Sequence, residues 1–121
     1  MLRSLPLVLV LVLVVMIAAA PAAGSAGQPT ARWSAQAACV HRHEASWQAN
    51  TGNGYFGGMQ FSRETWLRLG GAADAAFAYP GNAAVPFAAS PQRQLHLAWL
   101  LWLRDGHSWR SWGAVGAACS R

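Results

Sequence analysis

Four carboxylic acids are all that this sequence offers for acid–base chemistry: Glu44, Glu64, Asp74 and Asp105. Three of them fit plain structural roles. Glu64 falls in the first turn of a short helix, where the helix dipole favours an acid. Asp74 sits in an alanine-rich loop, and Asp105 stands at a helix end beside Gly106. Glu44 closes an apolar stripe, Trp33, Ala37, Val40 and Glu44, spaced i, i+4, i+7, i+11 along a helix. Burial there would disfavour the charged carboxylate and raise its pKa. A frayed helix end with Glu44 in water is the plainer alternative, and both stay open. Glycosidases ordinarily need two acids about 5–9.5 Å apart, and the next acid after Glu44 is Glu64. Sugar-chain cleavage here would therefore use one acid and let the substrate supply the second group.

Other chemistries find less support. Cys39, His41 and His43 lie close in sequence, but helical residues two apart diverge. His96 and His107 would have to be recruited from elsewhere, and no Cys-x-x-Cys or His-Glu-x-x-His spacing exists. No metal and no cofactor is expected. No nucleophile elbow marks a serine, and a bridged cysteine cannot attack.

The elements that must position Glu44 follow from patterning. Residues 1–26 read as a secretory signal peptide: Arg3, an apolar run over Leu5–Ala20, then small residues. That run is short for a span of about 20 residues, so no stable membrane span is expected after its removal. A flexible lead-in, 27–32, precedes one compact domain at 33–121. From Arg32 onward there are eight arginines, no lysine and four acids. A mildly basic export suits an anionic polymer, and the scatter of the arginines argues against nucleic acid. Cys39 and Cys119 are the only cysteines, and outside the cytosol they are expected to pair.

The first helix is expected from near Ser34 to His43–Ala45. In "NTGNGYFGGMQF", Asn50 to Phe61, Asn53-Gly54 signals a turn. Tyr55-Phe56 and Met59-Gln60-Phe61 are expected as short strands around Gly57-Gly58. Ser62 offers an N-cap for "RETWLRL", stopped by Gly70-Gly71. The segment 72–89 suggests a helical turn plus loop. Ser90-Pro91 opens a helix expected to bury Leu95, Ala98, Trp99 and Trp102 before Asp105-Gly106 ends it. The tail from His107 to Cys119 is expected as a packed loop ending in the disulfide. The domain is thus mainly α with a small glycine-rich hairpin.

"CVHRHEASWQANTGNGYFGGMQFSRETW" resembles the transglycosylase-like domain of resuscitation-promoting factors, a lysozyme-like family of secreted bacterial wall enzymes. The likeness runs from Trp33 to Cys119 and is most specific over Asn50–Phe61, followed by Thr65-Trp66 and Gly70-Gly71. It implies an α+β, mainly α, lysozyme-like fold with the glycine-rich hairpin beside an active-site cleft. It also implies a secreted, wall-associated enzyme acting on peptidoglycan glycan strands, at the β-1,4 bond between N-acetylmuramic acid and N-acetylglucosamine. Glu44 would be the single general acid, giving a lytic transglycosylase product or, with water, a hydrolytic one. Other wall hydrolases are a further partner class left open.

Under that likeness Trp47, Asn50, Thr51, Asn53, Tyr55, Gln60 and Trp66 are the expected substrate-binding residues. Gly52, Gly54, Gly57 and Gly58 would leave a groove wall of bare main chain, whereas a hairpin needed only for folding is the alternative. The family pattern reads Cys-Glu-Ser-Gly-Gly-Asn-Trp, while this chain has His43-Glu44-Ala45-Ser46-Trp47. The acid and the tryptophan are two residues closer, and the cysteine slot before Glu44 is filled by His43. Cys39 lies one turn upstream on the same face. A wall-binding module without catalysis is the competing function, and a disulfide-stapled signalling protein a weaker third.

Overall fold

The computed structural model describes residues 27–71 and 83–121. The expected signal peptide, Asp74 and most of the alanine-rich segment lie outside the described residues. The elements run α1 (Ala31–Glu44), β1 (Tyr55–Phe56), β2 (Phe61–Ser62), α2 (Arg63–Arg68), α3 (Pro91–Arg104) and α4 (Gly113–Cys119). Short 3-10 turns occupy Pro86–Ala88 and Arg110–Trp112. This is the mainly α, α+β, lysozyme-like architecture expected from the sequence.

Helix α1 begins earlier than its apolar stripe suggests because Thr30 caps it, its side chain accepting the Trp33 N–H. Ala31 and Arg32, expected in the lead-in, are therefore helical. The stripe is real: Trp33, Ala37 and Val40 are buried in the core.

β1 and β2 pair antiparallel with Tyr55 opposite Ser62 and Phe56 opposite Phe61. The second strand starts two residues later than expected. Met59 and Gln60 instead belong to the connecting turn, where Gln60 adopts a left-handed φ of 51° and its N–H reaches the Gly57 carbonyl. Ser62 then ends the strand and caps α2, its hydroxyl accepting the Thr65 N–H.

Ser90 caps α3, with Pro91 at its first position. The buried face of α3 is Gln94, Leu97, Ala98 and Leu101, with Trp99 and Arg93 alongside. Leu95 and Trp102, expected inside, are only half-buried. The tail also departs from expectation. In place of a loop, a 3-10 turn leads into α4, where Gly116 lies so close to the Trp109 carbonyl that a Cβ could not fit. The absence of a side chain lets this short helix press onto its own preceding turn.

Cys39 and Cys119 form the expected disulfide, with Cα atoms 5.6 Å apart. The Gln36 amide donates to the Ser120 carbonyl beside it, so the end of α4 is held against the middle of α1. Around them Trp33 packs edge-on to Trp99 and stacks on Trp109. Phe61 packs against Trp66 and Trp112. Among the described residues no helix is long and apolar enough to cross a membrane.

Candidate active site

The hairpin, α2, the end of α3 and the 3-10 turn before α4 enclose an open trough of about 410 Å³. Tyr55, Gln60 and Thr65 contribute polar groups to it, and Met59, Leu101 and Trp112 contribute apolar surface. None of Gly52, Gly54, Gly57 and Gly58, expected to leave a groove wall of bare main chain, is among the residues that line this trough.

The four glycines divide into two pairs. Gly52 and Gly54 are exposed, with φ of +85° and +87°, and nothing lies within 4 Å of a Cβ placed on either. They serve the turn. Gly57 and Gly58 are buried, and a Cβ on them would strike Gln94 in the first case and Trp47 with His41 in the second. What approaches these two so closely is the protein itself. The Nδ1–H of His41 donates to the Gly58 carbonyl at 2.9 Å, and the His41 ring stacks on Trp47 with centroids 3.8 Å apart.

Of the residues expected to bind substrate, Tyr55 and Gln60 line the trough. Asn53 stands next to them: its side-chain oxygen accepts the Tyr55 N–H at 2.9 Å, and its amide donates to Gln60 Oε1 at 3.4 Å. Asn50 and Thr51 are exposed on the approach to the hairpin, with Asn50 bridged to Phe56. Neither lines the trough. Trp47 is half-buried in a separate apolar crevice with Trp33, Ala37, His41 and Leu95. Trp66 is fully buried, and its indole N–H is spent on the Ala83 carbonyl at 2.8 Å. It packs the core and presents no face for a sugar, which removes it from the expected binding set.

Glu44 ends α1 half-buried, and among the described residues no hydrogen bond or ion pair forms on its carboxylate. Burial raises the pKa of this carboxyl from its ordinary value, with the neighbouring His43 acting the other way as the smaller effect. It does not itself line the trough.

The disulfide also changes the reading of the family pattern. That pattern has the acid directly after the cysteine, and the residue directly after the bridged Cys39 is Val40, with 0% exposure. The acid in this chain stands one helical turn further on. Cys39, His43 and Cys119 bring their ligand atoms within 4.8 Å of one another, but both sulfurs are consumed by the disulfide.

Thr65, Arg68, Leu101, Arg104, Asp105, Ser111 and Trp112 were not legible as trough residues. Their signal was weak because three separate elements, α2, α3 with its cap and the 3-10 turn before α4, supply them. Within each helix the one-turn spacings of Thr65 with Arg68, and of Leu101 with Arg104 and Asp105, gave a common face, but nothing joined the two helices in advance.

The family profile described as "Transglycosylase-like domain" matches residues 27–115. The chain is 36% identical over 99 residues to resuscitation-promoting factor Rpf1 of Corynebacterium glutamicum, covering 82% of this chain and 44% of that one. It is 37% identical over 90 residues to resuscitation-promoting factor RpfC of Mycobacterium tuberculosis, covering 74% and 54% respectively. RpfD of the same species is 41% identical over 66 residues, covering 54% and 34%. The chain thus spans about half the length of these relatives or less. With the profile matched along most of its length, and relatives of 36% and 37% identity covering 82% and 74% of it, the chain belongs to the transglycosylase-like domain family of the resuscitation-promoting factors.

Proposed function

We propose that this protein is a secreted enzyme that cleaves peptidoglycan glycan strands, using Glu44 as its single general acid and base. The observation that carries the reading is an open trough lined by Tyr55, Gln60 and Thr65, in a domain whose half-buried Glu44 has its pKa raised by burial. Protonated Glu44 donates to the glycosidic oxygen as the bond between N-acetylmuramic acid and N-acetylglucosamine breaks. The acetamido oxygen of the substrate captures the anomeric carbon. The muramyl 6-hydroxyl then displaces it, and ionised Glu44 takes the hydroxyl proton. The product is a 1,6-anhydro sugar; water in place of the hydroxyl gives hydrolysis. Secretion rests on the leader-like residues 1–26.

Mass spectrometry of digested cell wall tests this. Anhydro-ended muropeptides from the wild type, and none from Glu44→Gln, are the expected result. Undiminished release by Glu44→Gln would remove Glu44 from the mechanism.

A second reading, glycan binding without cleavage, is favoured by Val40 at the position after the bridged cysteine. Co-sedimentation with peptidoglycan and no soluble product, from wild type and variant alike, would establish it.

A further inference from the structure

One corner of the trough sets a carboxylate against apolar surface. Asp105 closes α3, its N–H bonded to the Leu101 carbonyl, so the two residues sit one turn apart on one face. Its carboxylate takes the Ser111 hydroxyl on one oxygen and Arg110 Nη2, at 3.4 Å, on the other. The side chain is 10% exposed. A carboxylate accepts at about four lone-pair sites, so capacity remains for a ligand. Beside it Leu101 offers only hydrocarbon. Trp112 has already donated its indole N–H to the Met59 carbonyl at 2.8 Å, so it offers a ligand ring carbon.

A group that uses this corner fully must carry one donor and one small apolar end. A hydroxyl lacks the apolar end, and an ammonium would leave Leu101 and Trp112 uncovered. A secondary acetamide has both. We infer that the corner formed by Leu101, Asp105, Ser111 and Trp112 is a subsite for the 2-acetamido group of an N-acetylhexosamine. The amide N–H is donated to Asp105, and the methyl lies against Leu101 and Trp112. This deepens the reading of the trough as a glycan site and rests on it. Asp105 is a specificity residue here, selecting N-acetylated sugar units over their 2-hydroxyl counterparts. The reacting bond is left to Glu44.

The test is an NMR titration of the full chain with tri-N-acetylchitotriose and with cellotriose. Wild type should bind the N-acetylated trimer about tenfold more tightly, the scale of one charge-assisted hydrogen bond. Asp105→Asn should shrink that preference to about threefold or less while leaving cellotriose affinity unchanged. Equal loss for both sugars would assign Asp105 to holding the 105–111 turn alone, and an unchanged preference would exclude it. Should the variant not fold, nuclear Overhauser contacts in the wild type decide: acetyl methyl to Leu101 and Trp112 is expected, and their absence overturns the subsite. Failure of wild type to bind either sugar would overturn the glycan reading itself. N-acetyl-selective binding without release of wall fragments would keep the subsite and end only the enzymatic reading.

Discussion

The side-chain oxygen of Gln94 accepts the main-chain N–H of Gly58 at 2.8 Å, thirty-six residues away in sequence. The same side chain donates from its amide to the carbonyls of Trp47 at 2.9 Å and Ala89 at 3.1 Å. One fully buried polar group on α3 thus fixes the glycine turn, the Trp47 loop and the entry to its own helix. Replacing Gln94 with Leu strands a donor and two acceptors in the interior. We expect a loss of about 2–4 kcal/mol, read from urea denaturation, with the hairpin amides losing hydrogen-exchange protection first.

The two glycine pairs should respond differently to alanine. Gly58→Ala drives a methyl into Trp47 and His41, and should cost about 3 kcal/mol. Gly52→Ala meets open space and only the strain of φ +85°, about 1 kcal/mol. Thermal melts of the two variants compare them directly.

Glu44→Gln should reduce wall cleavage by at least ~100-fold. The wild-type rate should fall as pH rises through the raised pKa of Glu44, a limb displaced upward from where an ordinary glutamate would place it. Stability has the same sign. A carboxyl with its folded pKa raised contributes stability that is full below the unfolded value and lost as pH climbs through the folded one. Gln does not titrate, so the melting-temperature advantage of Glu44→Gln over wild type should grow across that window. An unchanged gap would mean that burial does not disfavour the charged form.

Severing the disulfide, by Cys39→Ser with Cys119→Ser, should cost at most about 4.5 kcal/mol on the chain-entropy account for a separation of 80 residues. Near-ultraviolet dichroism during a denaturant titration would show whether Trp109 and Trp112 lose their packing with α4.

Much of the scaffold was legible because its determinants are local. Ser62, Ser90-Pro91 and the Trp33–Val40 stripe act within one or two turns of themselves, and each does in the fold what its spacing implies. The trough was less legible because its lining comes from four separate elements. Asp105 looks like a helix stop until Ser111 and Arg110 fold back on it. Gly57 and Gly58 look like room for a ligand until Gln94, His41 and Trp47 fill that room. Glycine content alone reports a close approach without naming what approaches. Trp66 misled for a related reason: an indole is equally suited to sugar and to core, and only its neighbours decide.

The covalent tie between residues 39 and 119 has a mechanical consequence. Tension applied between the two ends of the chain is carried across the S–S bond, and everything from the hairpin through α3 lies within the closed loop. Among the described residues, those before Cys39 and after Cys119 are the ones that such a pull can draw out. Anchored at one end and tugged at the other, the domain would keep its trough in shape while its outermost stretch unravels.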